Sequence, residues 1–230
     1  MHPSPNLCTS FKKQLCNGRA HNNMSNVLMI KANDRPLEQS VTVQMYEAFV
    51  KTYRDTHPGD VVTELDLFAL NLPNYGNTAL TALYKRSQGQ ELTPEETNIA
   101  DLVRVHIDQF LASNKVVIAF PLWNYAAPAP LITYISYLAQ AGTMFRYTPE
   151  GPVGLAGDRK VVLLNARGGI YSNEDMAPFE GAIRFVKSNL MLWGITPEEI
   201  IIEGHNQLPA EAKNIIQKGL DQTATYATTF

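Results

Sequence analysis

Apolar residues run without alternation through 27–30, 116–120, 161–164 and 200–202, each run too short for a helix. Such runs read as strands buried on both faces of a parallel sheet. Residues 61–65 alternate and supply a further strand. Between the strands the apolar spacing changes to three and four. Val41, Met45, Ala48, Phe49 and Tyr53 make one helical stripe, and Ile99, Leu102, Val103, Ile107, Phe110 and Leu111 another. The second begins at Thr93 with Pro94 at its first position and Glu96 three residues on, a capping-box pattern. A third helix follows Pro128 and Pro130 and stops near Gly142, and residues 179–192 and 209–227 complete the set. The order βαβαβαβαβα predicts an α/β fold: one doubly wound, five-stranded parallel sheet with helices on both faces.

Three segments stand outside this pattern. Residues 71–92 contain Pro73, Gly76 and Gly89 with only short periodic pieces, and read as a lid or a subunit contact. Residues 143–152 read as an exposed loop carrying Phe145 and Tyr147. Residues 1–23 have neither a hydrophobic period nor the apolar core of a signal peptide. They read as a disordered extension or a leader, leaving 24–230 as one domain.

Composition narrows the function. With 230 residues, 45% of them apolar, 18% charged and a net charge of −3, the chain reads as a globular protein without a basic nucleic-acid surface. No run approaches the roughly 18 apolar residues that mark a membrane span. Cys8 and Cys16, the only cysteines, lie in the leader, so neither a disulfide nor a thiolate-metal framework is expected and a reducing cytoplasm is the natural compartment. There is no G-x-S-x-G elbow, H-E-x-x-H pair, Walker loop or G-x-G-x-x-G fingerprint. His57, His106 and His205 stand at no ligand spacing; His205, just after a strand end, is the hardest to set aside. No metal is expected.

What remains is three loops, each following a buried strand. The first, 32–40, leads into a helix whose amino end suits a phosphate. The second holds Leu122, Trp123, Asn124 and Tyr125, offering backbone polar groups, an amide and flat rings. The third, 165–171, carries Gly168 and Gly169, which let backbone approach a ligand edge. Each loop taken alone is explained equally well as a turn or packed aromatics. In a sheet of order 2-1-3-4-5, however, strands one, three and four are neighbours, so their loops converge on one crevice. Phosphate, planar ring and polar ring edge together describe FMN.

The segments PLWNYAAPAPL, FRYTPEGPVGL and NARGGIY, with residues 27–31 and Gln39-Ser40, resemble the FMN-dependent NADH azoreductase family in its Gram-positive branch. The similarity spans nearly all of 24–230. It implies a flavodoxin-like homodimer that uses NADH to reduce azo compounds and quinones by two-electron ping-pong transfer. By resemblance the FMN contacts fall on Gln39 and Ser40 for the phosphate, on Leu122, Trp123, Asn124 and Tyr125 for the ring, and on Asn165, Arg167, Gly168 and Gly169 for the ring edge. Tyr125 and Tyr147 are the expected walls of the substrate pocket. Ala32, Glu38 and Tyr171 depart from the family pattern; Glu38 must point away from a phosphate. A flavodoxin-type electron carrier shares the fold and is the alternative, although such carriers are usually far more acidic.

Overall fold

The computed structural model describes residues 24–230, so the expected leader and both cysteines lie outside the described residues. The strands are β1 (Asn26–Lys31), β2 (Val61–Asp66), β3 (Lys115–Pro121), β4 (Phe145–Thr148), β5 (Gly151–Gly154), β6 (Lys160–Arg167) and β7 (Glu198–Glu203). The helices are α1 (Val41–Thr56), α2 (Asn77–Ser87), α3 (Pro94–Leu111), α4 (Ala129–Leu138), α5 (Ala182–Leu192) and α6 (Ala212–Ala227). Five strands form a parallel sheet in the order β2-β1-β3-β6-β7, the doubly wound arrangement expected.

The unbroken apolar runs have a direct cause. Alternate residues of β1, β3 and β6 feed two separate cores. Leu28, Ile30, Val116, Ile118, Phe120, Val161 and Leu163 face the layer containing α3, α4 and α5. Val27, Met29, Val117, Ala119, Val162 and Leu164 face α1 and α6. Between their polar first residues, Asn26, Lys115 and Lys160, and their carboxyl ends, no position in these strands sees solvent and none is polar. Among the described residues no helix is long and apolar enough to cross a membrane.

Three expectations change. Residues 71–92 contain α2, which the apolar pattern hides because its buried residues are Ala79 and Ala82. Two alanines let the helix lie close on α3 without producing a visible stripe. The segment 143–152 is no free loop but enters an antiparallel hairpin, with Phe145 opposite Gly154 and Thr148 opposite Gly151. Leu155 N–H to Met144 O (2.8 Å) and Ala156 N–H to Trp193 O (2.9 Å) tie it to the body of the protein. Finally, β6 runs three residues past its apolar run, through Asn165 and Arg167, pairing Asn165 with Phe120 of β3 and Arg167 with Glu203 of β7.

Candidate functional site

The loop after β1 is shaped by one buried amide. Asn33, 1% exposed, donates from Nδ2 to Ser40 Oγ (2.9 Å) and accepts the Arg35 N–H on Oδ1 (2.9 Å). Ser40 Oγ in turn accepts the Val43 N–H at 3.3 Å and so caps α1. This clamp holds the amino end of α1, where the first N–H groups lack helical partners and the dipole is positive. Gln39 is exposed, its Oε1 taking Arg35 Nη2 at 3.3 Å. Lys31 is engaged by Asp66 at 2.9 Å, which leaves Arg35 as the loop's cation.

After β3 the chain makes a two-residue turn. Trp123 and Ala126 exchange both backbone hydrogen bonds, each 3.0 Å, and the residues between them, Asn124 and Tyr125, have φ of 49° and 64°. Two successive left-handed residues match the primed hairpin turn, normally a place for Gly or Asn. A tyrosine there is held by its surroundings: Tyr125 O accepts the Gly181 N–H at 3.0 Å. A Cβ at Gly181 would stand 2.3 Å from that oxygen, so only glycine permits the contact. The Tyr125 ring lies 5.6 Å from Phe179 and 6.3 Å from Tyr171, an aromatic rim beside the turn.

At the end of β6 the side chains and the backbone part company. Asn165 is fully buried and donates to Phe120 O at 2.8 Å, while its Oδ1 has no partner. Arg167 is 6% exposed, and Glu203 Oε2 accepts from its Nε (3.0 Å) and Nη2 (2.9 Å), with Glu180 3.8 Å away. Glu203 also accepts the Tyr171 N–H at 2.9 Å. Burial alone would raise the Glu203 pKa, yet hydrogen bonds from Ser172 and Tyr171 and the Arg167 charge outweigh it and hold the carboxyl below the usual range. Glu180 accepts the Ile183 N–H at 2.9 Å and anchors the start of α5. The Asn165 amide is thus committed to Phe120 O through Nδ2 and the Arg167 guanidinium to Glu203, while Asn165 Oδ1 is left without a protein partner. Among the described residues no protein acceptor takes the N–H of Gly168 or Gly169.

These pieces meet in one cavity of about 510 Å³, within the range of roughly 300–1,000 Å³ usual for small-molecule sites. Gln39, Ser40, Leu122, Trp123, Arg167 and Gly168 line it, so the three loops do converge. Glu38 is exposed but lines the same space. Tyr147 does not reach it: the residue stands on β4, 75% exposed and edge-on to Phe145. Asn124 and Tyr125, which follow Trp123 in the turn, are not among the cavity's lining residues. Sequence reasoning missed Asn33, which no motif marks, and Asn206, which lines the cavity beside His205. An amino-terminal helix end, aromatics beside a two-residue turn and free N–H groups at a glycine pair fit the phosphate, ring and polar edge of FMN.

The flavodoxin-like fold family matches residues 25–227. The chain belongs to that family. Within it, the chain is 56% identical over 208 residues to "FMN-dependent NADH:quinone oxidoreductase 2" of Bacillus cereus, covering 90% of this chain and 100% of the relative. It is 50% identical over the same length to "FMN-dependent NADH:quinone oxidoreductase 1" of Listeria monocytogenes, with the same coverage. Among solved structures, an azoreductase from Bacillus anthracis superposes with a TM-score of 0.88 at 48% identity, covering 90% of this chain and 100% of the other. An FMN-dependent NADH-azoreductase from Bacillus anthracis, solved in complex with FMN, gives 0.82 at 27% identity, covering 90% and 99%. This flavodoxin-like chain therefore stands among the FMN-dependent NADH:quinone oxidoreductases and azoreductases, as its motifs suggested.

Proposed function

We propose that the chain is an FMN-dependent oxidoreductase that uses NADH to reduce quinones and azo compounds, working as a homodimer in the cytoplasm. The observation that carries this is the single cavity joining the amino end of α1, the Trp123–Ala126 turn and the Gly168 backbone. The names of the relatives point to the same cofactor and donor. When bound, FMN supplies two-electron hydride chemistry at N5, alternating between NADH and the acceptor in ping-pong fashion. The protein binds and orients. Ser40 and the first N–H groups of α1 hold the phosphate, Trp123 and the left-handed turn flank the ring, and the Gly168 and Gly169 N–H groups stabilise negative charge on its polar edge. The rim of Tyr125, Tyr171 and Phe179 suits a flat aromatic partner and keeps water off the exchange. The purified protein is expected to be yellow and to oxidise NADH only when a quinone or azo dye is present. Bound flavin without such turnover would instead indicate an electron carrier.

Phosphate anchoring yields a second expectation. With Lys31 paired to Asp66, the phosphate relies on α1 N–H groups and Arg35. Charge-assisted bonds of this type are worth about 1.5–3 kcal/mol, so riboflavin should bind roughly 10- to 100-fold more weakly than FMN. Comparable fluorescence-titration constants for the two would rule the α1 site out.

The dimer rests on the α2 surface. Leu80 and Tyr84 are 54% and 62% exposed, and they border a groove with Tyr75, Leu83, Val103 and Ile107. Burying such a face against a second copy accounts for its apolar character. Sedimentation at micromolar concentration should show a dimer, and Leu80→Asp with Tyr84→Asp should dissociate it and weaken NADH oxidation. A monomer with full activity contradicts the shared site.

A further inference from the structure

The turn between β7 and α6 enters the cavity from beyond β6, on the side away from the Ser40 loop. It is fastened to the glycine pair. The N–H groups of Asn206 and Gln207 both reach Gly168 O, at 3.0 and 3.1 Å, and the Gly204 N–H is shared between Arg167 O and Gly169 O at 3.2 Å each. His205 sits inside this clamp and lines the cavity. Its Nδ1 is buried without a partner among the described residues, whereas Nε2 is not among the buried bare atoms. Burial lowers its pKa below the ordinary value, so the ring is neutral at pH 7 and carries one N–H. A buried N–H without an acceptor is a costlier defect than a bare ring nitrogen. The favoured tautomer therefore carries its proton on Nε2, the ring nitrogen not sealed in the interior, on a residue that lines the cavity.

We propose that the Nε2–H of His205 donates a hydrogen bond to the carbonyl-bearing edge of bound FMN, beside the Gly168 and Gly169 N–H groups, and so favours the reduced cofactor over the oxidised one. The inference rests on the FMN reading and extends its donor set to a fourth strand end. A fixed donor beside an edge that gains negative charge binds the more negative state better, because nothing needs to reorient when the charge arrives. The Tyr171 ring is engaged at the rim, over the Arg167 guanidinium at 5.6 Å and edge-on to Tyr125 at 6.3 Å.

The test compares wild type, His205→Leu and His205→Gln as holoenzymes. The FMN dissociation constant is read from flavin fluorescence released on dilution, the midpoint potential from equilibration with a reference dye, and folding from thermal unfolding. For His205→Leu, oxidised FMN should bind about 3-fold more weakly and reduced FMN about 10-fold more weakly, the scale of one hydrogen bond, with a more negative potential. His205→Gln, which keeps an N–H donor, should recover most of the potential. If His205→Leu does not fold, His205→Asn, whose amide is shorter, takes its place. An unchanged potential in a folded variant overturns the proposal. So does an equal loss for both redox states that Gln and Leu share, since that is a packing effect. Wild-type protein that takes up no FMN overturns the FMN reading itself.

Discussion

Replacing Gly168 with valine should weaken FMN binding roughly 10- to 100-fold, the equivalent of the ~1–3 kcal/mol that overpacking costs in a close-packed site. A Cβ at this position would lie 2.3 Å from Asn206 Nδ2, 2.9 Å from its Cγ and 3.0 Å from its Cβ. The whole asparagine side chain must move, not only its tip. Asn206 also holds Gly168 O through its backbone N–H, so the displacement passes into the turn that closes the cavity. Asn206→Ala in the same chain separates the two consequences. The double variant should regain the stability lost to the clash but not the affinity, because the valine branches still crowd the ring edge. Unchanged affinity in a folded Gly168→Val protein would show that the crevice has been misplaced.

Arg167→Met should cost about 3–5 kcal/mol of stability, the range for removing one partner of a buried ion pair. The methionine fills the space, but Glu203 and Glu180 then share a nearly closed pocket without their cation. The pH dependence carries the sign. Glu203 titrates below its ordinary range in the folded protein, so its contribution is fully present above the unfolded value near ~4.3 and is lost as pH falls through the lower folded value. Removing Arg167 takes away one cause of that depression. The deficit of the variant should therefore be largest at neutral pH and shrink toward pH 4. Urea midpoints at pH 7 and pH 4 decide it. A deficit equal at both would mean that packing, not charge, holds Arg167 in place. Because Glu203 also receives the Tyr171 N–H, the glycine loop should loosen and FMN should bind more weakly.

The contrast between these two residues shows how far sequence reasoning reaches. Both lie in the NARGGIY segment, and both were expected at the ring edge. Gly168 meets the cavity as expected, because a glycine directly after a buried strand has little else to offer than its backbone. Arg167 lines the same cavity, but its guanidinium is paired with Glu203. Alternation along β6 puts residues 161, 163, 165 and 167 on one face, but the register that continues the strand past its apolar run is set by pairing with β3 and β7. Its acidic partners, Glu180 and Glu203, come from two distant segments that only the fold brings together.

By itself the sequence determined the five parallel strands and their order, since the central β1, β3 and β6 are buried on both faces and admit only apolar residues there, and helical patterns separate every strand from the next. It also determined the three loops that meet at the carboxyl ends, because strand adjacency follows from the doubly wound connection. It did not reveal α2, whose contact is made by two alanines, nor the β4–β5 hairpin, which is held by bonds to Met144 and Trp193 rather than by a hydrophobic pattern. The left-handed Asn124-Tyr125 turn was equally hidden, since its strain is compensated by the Gly181 N–H from far along the chain. The tertiary structure alone decided which polar groups face the cavity. Asn33 acts through hydrogen bonds within its own loop and Asn206 through one to Gly168 from a distant segment, and such geometry leaves no period or spacing in a linear chain.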